Sequence, residues 1–278
     1  MESLKKGTLY VVATPIGNLE DITLRALNVL KSVDLIAAED TRHTLKLLNF
    51  YEINKPLISY HRHNEEVKSD LLIKKLIDGE DIALVSDAGT PGICDPGEEV
   101  IKKCIIENIN IVPIPGACAM INSLICSGLD TKEFYFMGFL PLNKKLRKVK
   151  MEEIKESNKT IIFYEAPHKL LKTLEELKGI VKGRKVVLAR EITKIHEEFI
   201  RGSIEDITDR IGEPKGEYVI LIEGNQDLEK ENNDVELTLD EEYEKYLLQG
   251  LNKKEIIKKI AKNRGVNKNE IYQYFLDK

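Results

Sequence analysis

Residues 81 to 97 read DIALVSDAGTPGICDPG and hold the densest set of groups that could do chemistry. A short apolar run, Ile82 to Val85, stops at a tight loop carrying Asp87, Gly89, Pro91, Gly92, Asp95 and Gly97. Short continuous apolar runs suit a strand covered on both faces. The glycines let the backbone take positive φ and let a ligand approach with no Cβ in the way. A ligand outside the carboxyl end of such a strand would meet the Asp87 carboxylate and the bare amides of Ala88 and Gly89. Asp95 before Pro96 reads as the N-cap and first residue of a helix running to Glu107. A plain strand-to-helix connection would look the same, so the loop acquires chemical meaning only from its surroundings.

Those surroundings are three similar turns. TPIGN follows the strand TLYVVA (8–13), EDTRH follows DLIAA (34–38), and PGACA ends INIVPIPG (109–116). Asp40 can cap the helix TRHTLKLLNF, NEEVKSDLLIKKLIDG has an apolar helical face, and Gly128 stops ACAMINSLICSG. Strands alternating with helices predict an α/β fold with a mainly parallel sheet, which gathers such turns at one edge. Neither GxGxxG nor GxxxxGK[ST] occurs, which demotes dinucleotide binding and ATP hydrolysis.

After Gly128 the pattern changes. Strand-like segments at 133–141, 160–165, 185–191, 197–202 and 217–224 are separated by two good helices, and EFIRG directly after LAREITKIHE points to antiparallel pairing. The chain therefore divides into an N-terminal α/β domain (1–128), a C-terminal α+β domain with a mixed sheet (129–224), a polar linker (225–234) and a helix-turn-helix-like tail (235–278). The tail's middle helix is rich in lysine, which suits either a solvated face or nucleic-acid contact.

Composition sets the outer bounds. With 278 residues, 42% hydrophobic and 32% charged, the chain is ordinary for a globular protein, and no apolar run approaches the roughly 18 residues of a membrane span. The start lacks a signal-peptide pattern, so the expected location is cytoplasmic, with no membrane partner. Cys94, Cys104, Cys118 and Cys126 lack CxxC spacing and read as reduced thiols, with no metal site. A net charge of -5 means that any contact with nucleic acid must rest on local basic patches.

In this order, ATPIGNLEDIT, AAEDTRHT, HNE (63–65), LVSDAGTPGICDPG, PGACA, GFLP, IFYEAPHKL, LAREITKIHE and GEYVILIEG closely resemble the tetrapyrrole methylase superfamily, and within it the branch that acts on small-subunit ribosomal RNA. The resemblance covers residues 7–224. It implies S-adenosyl-L-methionine as cofactor, folded in a cleft between two α/β domains, a homodimer, and 2'-O-methylation of a cytidine ribose in the decoding region of 16S rRNA. It also implies that Asp87, Ala88 and Gly89 hold the methionine end of the cofactor. Ala117, Cys118, Glu165, Ala189, Glu217 and Tyr218 would line its ribose and adenine, and Pro15 would close the first turn against the sulfonium. Members that methylate tetrapyrroles carry a GxGPG-like first turn. This chain has Ala13 to Gly17, ATPIG, which argues against a porphyrin substrate.

A ribose hydroxyl is a poor acid, so methylation asks for a proton acceptor. Asp40, His43 and Glu165 are the candidates, each with a competing role: a helix cap, a phosphate contact and a cofactor contact. For the RNA backbone the basic candidates are Arg42, His61, Arg62 and His63, then Lys144, Lys145, Arg147, Lys148 and Lys150 in an expected mobile loop, then Arg190 and Lys194. Tyr60, Phe139 and Tyr164 could stack a splayed base. Two other readings stay open, a small-molecule methylase of the same superfamily and a non-catalytic RNA-binding assembly factor.

Overall fold

The computed structural model describes residues 5–226, 238–248 and 250–276, in two compact units divided after Asn225. The larger unit contains two sheets. In the first, β1 (Thr8–Val12), β2 (Leu35–Ala38), β3 (Leu57–Ser59), β4 (Ile82–Val85) and β5 (Asn110–Ile114) are all parallel, in the order β3-β2-β4-β1-β5. Every residue of β2 and β4 is buried, which is why their sequences are continuously apolar rather than alternating. Ile36, Ala38, Ala83 and Val85 meet α1 (Leu24–Ser32) and α2 (Thr41–Phe50) through Ala26, Leu30 and Leu48. On the other face, Leu35, Ala37, Ile82 and Leu84 meet α3 (Glu65–Ile77) and α4 (Glu98–Ile106) through Leu72, Leu76, Val100 and Cys104. Adjacent β2 and β4 are followed by connections that run to opposite edges of the sheet, to β3 and to β5, the arrangement that opens a crevice at the strands' carboxyl ends.

The second sheet has the order β6-β7-β10-β8-β9, built from β6 (Phe134–Phe139), β7 (Thr160–Glu165), β8 (Val186–Arg190), β9 (Glu198–Gly202) and β10 (Tyr218–Ile222). Only β6 and β7 pair in parallel, and the sheet is mixed as expected. α6 (Lys144–Glu156), α7 (Pro167–Lys178) and α8 (Ile204–Arg210) cover one face, with Ile154, Leu170, Leu174 and Ile207 in its core. The other face receives α5 (Ala119–Ile125), whose Leu124 and Met120 pack with Ile162, Val187 and Val219. The PGACA turn thus carries the chain from the first sheet onto the second.

Three expectations are corrected, and a fourth is not tested. Helix α4 does not begin at Asp95–Pro96: its cap is Gly97, with φ 151°, and the Gly97 and Glu99 amides donate to Glu65 Oε1 of α3 at 3.0 and 3.3 Å, so a carboxylate from another helix does the capping. The expected mobile loop at 143–150 is the opening of α6, whose Asn143 side chain accepts the Lys145 and Leu146 amides at 3.0 and 3.2 Å. Three helices rather than two lie among the strands of the second sheet, since Ser203 and Asp206 form a capping box that starts the short α8. The expected linker at 225–234 falls, from residue 227 on, outside the described residues.

In the smaller unit, α9 (Leu239–Leu248), α10 (Lys253–Arg264) and α11 (Lys268–Tyr274) enclose a core of Tyr246, Ile256, Ile257, Ile260, Ala261 and Ile271.

Candidate active site

The four turns close on one another through named hydrogen bonds. Thr14 and Gly89 exchange backbone N–H to carbonyl bonds of 2.9 and 3.0 Å, a bridge between the turns after β1 and β4. The Thr14 hydroxyl donates to the Ser86 carbonyl at 3.1 Å, and the Thr90 hydroxyl to the Ala117 carbonyl at 3.3 Å. The Asp40 N–H donates to Asp87 Oδ1 at 3.0 Å. The Gly89 amide is therefore not bare for a ligand, because the Thr14 carbonyl already accepts it. Gly89 has φ +83°, which favours glycine, and a Cβ there would lie a tight 3.2 Å from Ile16 Cγ2.

Between these turns and the second sheet lies a cavity of about 640 Å3. Its walls are apolar where Ile16, Ile93, Phe139, Tyr164, Ile192 and Val219 line it, and carboxylates enter from Glu39, Asp87, Asp95, Glu165 and Glu217. This volume falls within the roughly 300–1,000 Å3 of small-molecule sites. Flat apolar walls with several carboxylates suit a ligand that joins an aromatic ring to a cationic amino-acid end. Among the described residues no group of three or more His, Cys, Asp or Glu side chains is arranged to hold a metal ion.

The carboxylates differ in proton affinity. Burial pushes Glu39 above the usual carboxylate range, and the neighbouring charges of Asp95 and Asp87 push it further, against a hydrogen bond from the Asp87 amide. Asp95 is raised as well, mainly by burial, with the Ser86 hydrogen bond and Arg62 opposing. Asp40 goes the other way. Its carboxylate caps α2 at the Arg42 amide (2.8 Å) and holds the Arg42 guanidinium through both oxygens, at 3.1 and 2.8 Å, which keeps it well below the usual range. A carboxylate that weakly basic is a poor proton acceptor.

Of the expected site residues, Asp87, Ala88, Gly89, Cys118, Glu165, Glu217 and Tyr218 line the cavity. Asp40, His43, Pro15, Ala117 and Ala189 do not. His43 is exposed on α2, and Ala189 is packed in the core of the second sheet. Glu165 lines the wall at 4% exposure, and its oxygens are engaged: the Ala166 amide donates to Oε1 at 2.9 Å and the Thr173 hydroxyl to Oε2 at 2.6 Å. That arrangement fixes the wall and leaves Glu165 poorly suited to take a proton. Glu39, Asp95, Cys94 and His168 line the cavity without having been expected there. Glu39 stands in the very EDTRH turn singled out above, one residue before the chosen Asp40.

The basic residues are placed unevenly. Lys144, Lys145 and Lys148 are exposed on α6, and Arg42 is exposed although paired with Asp40. Arg62 donates to the Cys94 carbonyl. Lys194 bridges Glu191 and Glu217 at 2.9 Å each, and Arg190 reaches the Lys215 carbonyl and Glu198. Arg147 is no surface phosphate contact. Its side chain, 14% exposed, donates to Glu176 at 2.7 Å and to Thr173 at 2.7 Å, with Glu165 at 4.0 Å. Arg147→Ala should cost about 1 to 2 kcal/mol of stability, because it removes two hydrogen bonds of a largely buried guanidinium, one of them to the Glu176 carboxylate. Urea denaturation checks this, and a midpoint unchanged from the parent chain would refute it. Tyr60 is also unavailable for stacking: it is 1% exposed and its hydroxyl meets Ser69, Glu65 and the Val100 amide. Phe139 and Tyr164 do line the cavity, with ring centroids 5.5 Å apart.

The sequence pattern of the tetrapyrrole (corrin/porphyrin) methylases matches residues 8–208. The chain belongs to the tetrapyrrole methylase family. Within this family it is 49% identical to the ribosomal RNA small subunit methyltransferase I of Halalkalibacterium halodurans, over 97% of this chain and 95% of that protein. It is 47% identical to the protein of the same name from Bacillus subtilis, over 97% and 94%. Solved structures share the tetrapyrrole methylase fold at lower identity. A diphthine synthase superposes with a TM-score of 0.61 at 15% identity, covering 78% of this chain and 90% of that one. A uroporphyrin-III-C-methyltransferase from Thermus thermophilus gives 0.54 at 19%, covering 78% and 94%.

Proposed function

We propose that this family member is an S-adenosyl-L-methionine-dependent methyltransferase acting on small-subunit ribosomal RNA, at the 2'-hydroxyl of a cytidine in the decoding region. The observation that carries the reading is the near full-length similarity to proteins named ribosomal RNA small subunit methyltransferase I, joined to a cavity framed by the four turns. Bound there, the cofactor would supply an electrophilic methyl group on a sulfonium. Asp87 is our candidate for the cationic methionine end, and Tyr164 with Phe139 and Val219 for the flat ring. Glu39 is our candidate proton acceptor in place of Asp40, His43 and Glu165. Its support is its position on the wall and its raised proton affinity, which brings a carboxylate closer to the working pH. Alignment of hydroxyl and methyl would supply most of the rest. Five carboxylates repel phosphate, so RNA affinity must come from outside the cavity, from groups such as Lys144, Lys145 and Lys148. In this reading the protein works in the cytoplasm as a homodimer.

The test is transfer of labelled methyl to small subunits from cells lacking this protein, followed by mapping of the label. A single 2'-O-methylated cytidine in the decoding region is expected. Label on a base, or transfer to a tetrapyrrole and none to rRNA, would overturn the assignment.

A further inference from the structure

The helical tail separates its charges by helix. α9 carries Asp240, Glu241, Glu242 and Glu244 against Lys245, whereas α10 carries Lys253, Lys254, Lys258, Lys259 and Lys262 against Glu255. Several of α10's charges are engaged within the unit. Arg264 pairs with Glu242 at 2.6 Å, Lys259 lies 4.5 Å from the centroid of the Tyr246 ring, and Glu255 accepts the Asn252 amide at 3.0 Å to cap its own helix. Ile256, Ile257, Ile260 and Ala261 are buried, which turns the opposite face outward. On that face Lys254, Lys258 and Lys262 are exposed and take part in no ion pair among the described residues. They follow one another at i, i+4 and i+8, about 6 Å apart along the axis.

The helix ends at Gly265, in the left-handed conformation with φ 63°, and a short turn leads to α11, capped by Asn267. This is a helix-turn-helix arrangement. We propose that the tail is a second RNA-contact module whose Lys254–Lys258–Lys262 stripe lies along a phosphate strand of duplex rRNA. The inference rests on the rRNA reading above. The cavity is lined by carboxylates and the chain carries a net charge of -5, so backbone affinity must come from segregated basic faces such as this one. An ammonium is a point charge without the fork that reads a base edge, and the major groove of A-form RNA is too deep and narrow for a helix. The stripe therefore contributes affinity and not sequence choice, and the acidic α9 leaves the unit one attractive side.

The test compares the full chain with its Lys254→Ala/Lys258→Ala/Lys262→Ala variant in binding to protein-free small-subunit rRNA over a salt series. The substitutions are exposed and alanine favours helix, so the fold should persist, as far-ultraviolet circular dichroism would verify. Affinity at low salt should fall about ten- to a hundredfold, and the slope of log affinity against log salt should shrink by about 2 to 3. The matching triple arginine variant should keep the parent slope, and cofactor affinity should not change in either. Equal slopes for the alanine variant and parent would overturn the proposal. Methyl transfer by the parent chain, measured on small subunits, reports separately on the underlying reading. Its failure would leave the binding comparison to decide the tail's role alone.

Discussion

Asp87→Asn is expected to weaken S-adenosyl-L-methionine binding about ten- to a hundredfold, and Asp87→Ala by a further factor of ten. The two substitutions separate the two things Asp87 does. Its carboxylate faces the cavity, where it would meet the cationic end of the cofactor, and a hydrogen bond to a charged group is worth about 1.5–3 kcal/mol. Its Oδ1 also accepts the Asp40 N–H, which holds the turn after β2 against the turn after β4. Asparagine keeps an acceptor for that amide and removes only the charge. Alanine removes both, so the turns that frame the cavity lose a tie and the protein should lose about 1 kcal/mol of stability as well. Equilibrium binding of the cofactor, with thermal unfolding as the control, checks both. An Asp87→Asn affinity equal to that of the parent would remove Asp87 from the methionine end.

The fold was legible wherever burial dictated residue type without regard to period. β2 and β4 are covered on both faces, so DLIAA and DIALV announce themselves as strands, and the helices between them follow from their caps and apolar stripes. The opening of α6 was hidden because its inward face, Arg147, Lys150, Met151 and Ile154, places two cations where an apolar stripe is expected. Arg147 turns inward because Glu165, Thr173 and Glu176 await it on β7 and α7, and no local rule encodes partners that distant. The Asp95–Pro96 pair misled for a related reason. The first amides of α4 are held by Glu65 of α3 rather than by Asp95, and Gly97 can hold a φ of 151° that other residues rarely adopt.

The cavity itself was half legible. The turns after the parallel strands gather by the geometry of any such sheet, so Asp87, Ala88 and Gly89 were found from pattern, whereas Cys118 came only from the family resemblance. Choosing between Glu39 and Asp40 was beyond pattern, because adjacent carboxylates leave the chain in different directions. Asp40 caps α2, and Glu39, one residue earlier, reaches the cavity wall. The wall residues Ile192 and Val219 come from the turn after β8 and from β10, and nothing in their own segments marks them as different from core.

Glu39→Gln separates catalysis from stability, and the two should move in opposite directions. As the proton acceptor, Glu39 would contribute about a hundredfold or more to the transfer step, so the variant should lose that much in kcat with cofactor affinity nearly unchanged. Glutamine keeps an oxygen for the Asp87 amide, so the turn should hold. The parent's kcat/KM should rise with pH through a value above the ordinary 4.5 of a glutamate and then level off, since only the ionised carboxylate accepts a proton. Stability has the reverse sign. Because the folded-state pKa is raised, the folded chain binds more protons than the unfolded one between the two values, and stability falls as pH rises through that window. Above it the cost of the partly buried charge is present in full, so Glu39→Gln should be more stable than the parent at neutral pH and less dependent on pH within that window. Asp95 is the neighbouring charge that raises Glu39 most after burial, so Asp95→Asn should shift the acidic limb of the rate profile to lower pH. A Glu39→Gln enzyme with parental kcat, or an acidic limb that Asp95→Asn leaves in place, would show that the proton goes elsewhere.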